Sequence, residues 1–274
     1  MEKLVKVAFL YDFDLTLSPR NMQEYSFQDL IGTTKDEWWK DVNEFGKNHN
    51  MDGALAMMFK LITVAKEKGI VLKKQDIVNL GKDIEYFDGV ETWFKRLTDY
   101  ARTLGLDLKH YIISSGLKEI IEGTSIAHNF HRIFASCFAY DNNDIPFWPS
   151  QSVNYTTKTQ YIYRVRKNAI DDLYNASGVN EYIKSKEELV PYENMVYFGD
   201  GITDIPSMRT ISKKGGNSIW VYAPNSEKSY KECRKLYLER RSDFLAPADY
   251  REGTPLDNIC KNILNKIASY IDNE

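Results

Sequence analysis

A chain of 274 residues, 43% hydrophobic and 27% charged, has the balance of a soluble globular protein, and its length suits a core carrying an insertion. A net charge of −3 gives no electrostatic reason to expect nucleic acid, and no apolar run approaches the length needed to span a bilayer. Asp12 interrupts the N-terminal apolar stretch too early for a secretory signal, and the three cysteines (Cys137, Cys233, Cys260) form neither a disulfide framework nor a Cys-x-x-Cys metal site, so the expected setting is cytoplasmic.

The first predicted strand, residues 6–11, runs into Tyr11-Asp12-Phe13-Asp14-Leu15-Thr16. Carboxylates are costly to hold near a core without a cation or a proton. The pair therefore reads as a hard-metal site, an acid/base pair or a nucleophile beside its proton donor, against the plain alternative of a solvated turn. From 18 to 87 the texture changes. No β-rich run occurs, and helical patterns fall at 22–30, 35–45, 53–68 and 74–80, punctuated by Asp52-Gly53 and Gly69. Thr33-Thr34 is placed to cap the helix that carries Trp38 and Trp39. This stretch predicts a helical insertion.

A strand over 110–114 then enters Tyr111-Ile112-Ile113-Ser114-Ser115-Gly116, followed by a predicted helix over 117–126. Ser114 either caps that helix or presents its hydroxyl to an anion. After a strand at 133–138, a small insertion at 141–154 contains Pro146-Phe147-Trp148-Pro149, which suits a rim loop or hairpin. Lys158 opens a helix over 158–168, and the charge run at 184–188 reads as a solvated helix face. A strand at 195–199 leads to Gly199-Asp200-Gly201-Ile202-Thr203-Asp204, a second strand-then-acid element whose glycines permit a tight path. Helices at 205–210, 227–240 and 255–271 alternate with strands at 218–223 and 244–247, the last helix starting at Thr254-Pro255. This alternation predicts an α/β fold, a doubly wound parallel sheet covered on both faces. In such sheets the carboxyl ends of adjacent strands line one crevice, so both acidic pairs are expected to share a metal site there.

Four of these motifs, in this order, resemble the signature of the haloacid dehalogenase (HAD) superfamily in its phosphatase branch, similar to phosphoserine phosphatases. Asp12-Phe13-Asp14-Leu15-Thr16 matches the first motif and residues 111–116 the second. Lys158 matches the third, and residues 199–204 the fourth. The resemblance covers most of the chain outside 18–87. It implies a HAD-like, Rossmannoid α/β core formed by 1–17 and 88–274, with 18–87 inserted as a helical cap that closes over the site and selects the substrate. It further implies a Mg²⁺-dependent phosphomonoester hydrolase acting on a small phosphorylated metabolite through an aspartyl-phosphate. Asp12 would be the nucleophile and Asp14 the general acid, then base. Mg²⁺ would be held by Asp12, Asp200 and the backbone carbonyl of Asp14, with Asp204 a further ligand or an acceptor orienting one. Ser114, with the amides of Ser115 and Gly116, would bind the phosphoryl oxygens, and Lys158 would neutralise their charge. The alternatives are a phosphotransferase or phosphomutase of the same superfamily, or a non-catalytic protein that binds a phosphorylated metabolite.

Other conspicuous residues carry less weight. His49, His110, His128 and His131 lack metal spacing and read as surface or core residues. At most one of Trp38 and Trp39 faces inward on a helix, and Thr16 braces the first loop. Arg20 and Glu24, four apart, either read a polar substrate group or form an exposed ion pair of small energetic value.

Overall fold

Strand β1 (Val5–Tyr11) sends Val7, Phe9 and Tyr11 into one apolar layer and Ala8 and Leu10 into another, as a strand covered on both faces must. The computed structural model describes residues 4–171, 173–174, 177–182 and 189–270. After β1 come α1 (Phe27–Ile31), α2 (Lys35–Asn48), α3 (Gly53–Glu67), α4 (Lys74–Asn79) and α5 (Val90–Thr103). Then follow β2 (Leu106–Leu117), α6 (Lys118–Glu122), β3 (Phe130–Tyr140), β4 (Pro146–Gln151), α7 (Lys158–Lys167) and the single turn α8 (Ser177–Asn180). The chain continues through β5 (Met195–Gly199), α9 (Ile205–Ser212), β6 (Asn217–Tyr222), α10 (Glu227–Leu238), β7 (Phe244–Pro247) and α11 (Pro255–Ser269).

The strands form one seven-stranded sheet in the order β4-β3-β2-β1-β5-β6-β7, with every neighbouring pair parallel except β3 and β4. The chain builds outward from β1 on one side through β2 and β3, then returns to β1's other edge with β5. This reversal puts the carboxyl ends of β2, β1 and β5 side by side, where a doubly wound sheet opens a crevice. Residues of α5 and α11 cover the face holding Phe9 and Tyr11, while α7 and α9 cover the face holding Leu10 and Tyr197. The doubly wound sheet expected from the alternating pattern is the one observed. Among the described residues no helix is long and apolar enough to cross a membrane.

Several elements differ from expectation. Helix α5 went unanticipated, although Val90, Trp93, Phe94, Leu97 and Ala101 fall on one helical face and all are buried. The helix expected at 117–126 shrinks to α6, because β2 stays extended through Ser114-Ser115-Gly116 to Leu117, with a register shift against β3 between Ser114 and Leu117. The Pro146-Phe147-Trp148-Pro149 run, by contrast, takes the hairpin form expected of it, as a strand, β4, paired antiparallel with β3. Arg20 does not pair with Glu24; it pairs with Glu85, and Glu24 pairs with Lys35. Trp38 is the inward-facing tryptophan, edge-on to Phe27. Both Ile271 at the expected end of the last helix and the charge run at 184–188 lie outside the described residues.

Between β1 and α5 the chain is helical throughout its regular elements. Thr34 caps α2 in a capping box with Glu37, and Asp52 caps α3 by accepting from the amides of Ala54 and Leu55. Backbone and side-chain contacts fasten this helical stretch to the sheet layer. A Cβ on Gly81 would lie 2.2 Å from the Ile120 carbonyl oxygen, and one on Gly123 would lie 1.8 Å from that of Val78, so the segment after α4 meets α6 backbone to backbone. On the far side the amide of Lys74 donates to the Asp144 carbonyl and Ser152 Oγ to Asp52 Oδ1, tying the β3–β4 hairpin to α3 and α4.

Tyr11, the last residue of β1, anchors a buried polar relay beneath the crevice. Trp93 Nε1 donates to Tyr11 Oη at 3.0 Å, and Tyr11 Oη lies 3.0 Å from His110 Nδ1. His110 Nε2 reaches Thr98 Oγ1 at 3.1 Å and the Phe94 carbonyl at 3.3 Å. That carbonyl can only accept, so Nε2 carries the proton and Nδ1 accepts from Tyr11. Burial pushes His110 down to about 3. A ring held neutral contributes fully above its unfolded pKa of about 6.5, and its contribution is lost as pH falls toward 3, because only the unfolded chain takes up the proton. Urea unfolding is expected to show the wild type losing about 2 kcal/mol more stability than His110→Gln between pH 7 and 5. Parallel pH profiles for the two proteins would contradict the neutral-ring assignment.

Candidate active site

Three strand ends supply the site. Asp12 follows β1 directly, with its amide donating to the Phe198 carbonyl of β5 at 3.0 Å and its Oδ1 accepting from the Phe13 amide at 2.8 Å. Asp200 follows β5. Ser114 sits near the end of β2, buried, with its Oγ accepting from the Gly116 amide at 3.1 Å, which leaves the hydroxyl hydrogen free to donate. Asp12, Asp14, Ser114, Ser115, Gly116 and Asp200 all line one cavity of about 250 Å³.

Lys158, first residue of α7, is 1% exposed and comes up beneath this cluster from the opposite face of the sheet. Its Nζ is 2.6 Å from Asp12 Oδ2 and 2.8 Å from Asp204 Oδ1. Burial works against its charge, but Asp12 and Asp204 more than offset it, so the amine is held well above the ordinary lysine range. Asp204, fully buried, also accepts from Tyr197 Oη at 2.9 Å. Gly199 is required here: a Cβ would stand 2.5 Å from the Asp204 carboxylate.

The acids outnumber the cations. Burial, then the charge of Asp204 and Asp12, pushes Asp200 well above the usual carboxylate range. Burial, opposed by Lys158, lifts Asp12 to about 6, and burial with the neighbouring Asp12 charge lifts Asp14 to about 8. One oxygen each from Asp12, Asp200 and Asp204 lies within 4.8 Å of the others, and Asp204 Oδ2 has no hydrogen-bond partner among the described residues. An oxygen-only donor set with an orphaned buried carboxylate oxygen and a deficit of positive charge fits a hard divalent cation such as Mg²⁺. The Asp14 carboxylate stands outside this cluster. Its Oδ1 accepts from the Met22 amide at 2.9 Å.

Of the residues singled out from the sequence, Asp12, Asp14, Ser114, Ser115, Gly116 and Asp200 line this crevice, while Lys158 and Asp204 are buried beneath it. Thr16 braces the loop, its Oγ1 3.5 Å from Asp200 Oδ1 and its carbonyl accepting from Tyr250 Oη at 2.7 Å. Sequence reasoning missed Met22. Besides holding Asp14, its Sδ lies 3.1 Å from the Leu117 amide and covers Gly116, where a Cβ would come within 2.6 Å of that sulfur. No local pattern marks a methionine for that task. Tyr197, by contrast, was findable: two residues before Gly199 on a strand, it packs in the same layer as Leu10 and carries the one hydroxyl of that strand.

A family model described as haloacid dehalogenase-like hydrolase matches residues 9–209. An uncharacterized protein of Borreliella burgdorferi is 26% identical over 280 residues, spanning 92% of this chain and 94% of its own. Among solved structures, a substrate-bound phosphoserine phosphatase complex is 16% identical with a TM-score of 0.53, covering 96% of this chain and 99% of the other. A phospho-aspartyl intermediate analogue of phosphoserine phosphatase is 16% identical with a TM-score of 0.52, over 94% and 99%. At such identities the two structures speak for the shared fold.

Proposed function

The chain belongs to the haloacid dehalogenase-like hydrolase family, and on that premise we propose that it is a Mg²⁺-dependent phosphomonoester hydrolase working through an aspartyl-phosphate on Asp12. One observation carries the reading: a carboxylate at the end of the central strand, ion-paired at 2.6 Å to a buried lysine, faces a cavity that also presents a buried serine hydroxyl.

Asp12, Asp200 and Asp204 are the residues to hold Mg²⁺, with the Asp14 carbonyl; when bound, the cation supplies charge neutralisation to the phosphoryl oxygens. Asp12 Oδ attacks phosphorus as the bond to the leaving oxygen breaks, and Asp14 gives that oxygen its proton. Asp14 then takes a proton from water, whose oxygen attacks phosphorus, breaking the bond to Asp12 and releasing inorganic phosphate. Met22 N–H fixes the Asp14 carboxylate away from the acid cluster, which separates the proton donor from the nucleophile. Ser114 Oγ donates to a phosphoryl oxygen. Lys158 holds Asp12 in place and balances charge on the intermediate. The helical insert over 18–87 serves as a cap that shields the aspartyl-phosphate from bulk water. Three cysteines, each a free thiol, suit a reducing cytoplasm.

Purified protein is expected to release phosphate from a generic aryl phosphate with Mg²⁺ and to stop when a chelator is added. Turnover that survives exhaustive chelation would reject the metal-dependent scheme.

A further inference from the structure

We propose that the alcohol this site releases carries no negative charge: the substrate is the phosphomonoester of a neutral or cationic alcohol with an apolar carbon face. The inference rests on the phosphatase reading and narrows it to a substrate class.

The cavity wall carries the argument. Its charged side chains are acids only, Asp12, Asp14 and Asp200, and among the described residues no lysine, arginine or histidine lines it. Lys158 lies beneath the floor, engaged with Asp12 and Asp204, where it serves the phosphoryl end. The cations flanking the first motif are turned to other partners and do not line the cavity. Arg20 pairs with Glu85 at 2.9 Å and lies 4.0 Å over the Tyr25 ring, and Lys35 pairs with Glu24 at 2.7 Å. Mg²⁺ and Lys158 would offset those acids at the phosphoryl end, so a carboxylate or second phosphate on the leaving group would be desolvated against a wall that offers it no cation of its own.

The remaining wall residues suit an uncharged or positive group. Leu15 and Ile202 line the cavity with exposed apolar side chains. Leu15 is held at φ +57°, a conformation a non-glycine residue adopts at a cost, and it presents that side chain immediately beyond Asp14. Asn21 is the one residue of the helical insert that lines the cavity among those described. Its Nδ2 donates to Glu24 Oε1 at 2.7 Å. The Glu24 carboxylate, paired with Lys35, can only accept, so the Asn21 amide is oriented with Oδ1 left as an acceptor. A hydroxyl or ammonium donor on the leaving group has that acceptor among the lining residues, whereas an anion has no cation among them to pair with.

Serine phosphate and ethanolamine phosphate test this directly, since they differ by a single carboxylate. The kcat/KM for ethanolamine phosphate is expected to exceed that for serine phosphate by about tenfold or more. Ile202→Lys, which adds a cation at the wall, should narrow that ratio by raising kcat/KM for serine phosphate, with aryl phosphate turnover measured alongside to account for folding. Equal or better use of serine phosphate, while aryl phosphate is hydrolysed, overturns the substrate class and leaves the phosphatase reading standing. An unchanged ratio in Ile202→Lys also overturns it. Absence of turnover on all three esters brings down the phosphatase reading itself.

Discussion

Asp12→Asn is expected to lower kcat for phosphate release by about 10⁴-fold or more, because an amide is nearly isosteric with the carboxylate but is a far poorer nucleophile toward phosphorus. Folding should survive. The new asparagine keeps one of the two contacts of Asp12, its oxygen accepting either from the Phe13 amide or from Lys158 Nζ, and Lys158 retains Asp204 at 2.8 Å. The substitution also removes one of the carboxylates crowded at the crevice, where burial and mutual repulsion disfavour ionisation of Asp200. A Tm within a few degrees of wild type is therefore expected. Two measurements decide the matter. Steady-state phosphate release gives the loss in rate, and acid quenching after mixing with labelled substrate should leave label on the wild-type protein but none on the variant. Turnover within tenfold of wild type, with label still captured, would place the nucleophile elsewhere.

Lys158→Met is expected to act on stability as well as rate. The amine is buried between Asp12 and Asp204, and methionine replaces its apolar stem with little change in volume but leaves both carboxylates without their partner. Removing one member of a buried ion pair costs about 3 kcal/mol or more, chiefly because the surviving charge stays desolvated. In the absence of metal the variant should accordingly unfold at markedly lower denaturant than wild type. Added Mg²⁺ should restore a larger share of stability to the variant than it adds to wild type, since binding to the folded state alone shifts the equilibrium by mass action. The kcat should fall by about 10² to 10³-fold. Equal midpoints for variant and wild type without metal would show that Lys158 is not the counter-ion of the acid cluster.

The strand-then-acid elements at Asp12 and Asp200 were legible because they are local. An apolar run of strand length followed by a carboxylate states both the burial of the strand and the exposure of its end, and two such elements in an α/β alternation lead to a shared crevice. The cap at Thr34 and the break between helices at Asp52-Gly53 were readable for the same reason, whereas the cap that Asp52 makes on α3 was not read. Helix α5 was equally local and was passed over, its face of Val90, Trp93, Phe94 and Leu97 lying between the helical stretch and β2. The short α6 resisted reading, and the run at 146–149 was legible only as a loop or a hairpin, because these states follow from pairing. Ser114-Ser115-Gly116 stays extended against β3, and Pro146–Gln151 becomes a strand only beside Phe130–Tyr140.

The chain by itself determined the layer order, the acids at the strand ends and the type of chemistry they permit, since each depends on residue type and on periodicity over a few positions. Only the tertiary structure decided how charge is distributed among them. Lys158 reaches Asp12 across 146 positions of sequence, Met22 N–H separates Asp14 from the acid cluster, and His110 stays neutral because Trp93, Tyr11 and Phe94 close around it. The absence of a cation from the cavity wall among the described residues is likewise a matter of folding, for Arg20 and Lys35 follow the first motif in sequence but pair with Glu85 and Glu24. Periodicity records which side of an element is buried, whereas pairing and protonation depend on which distant groups the buried sides bring within a few ångströms.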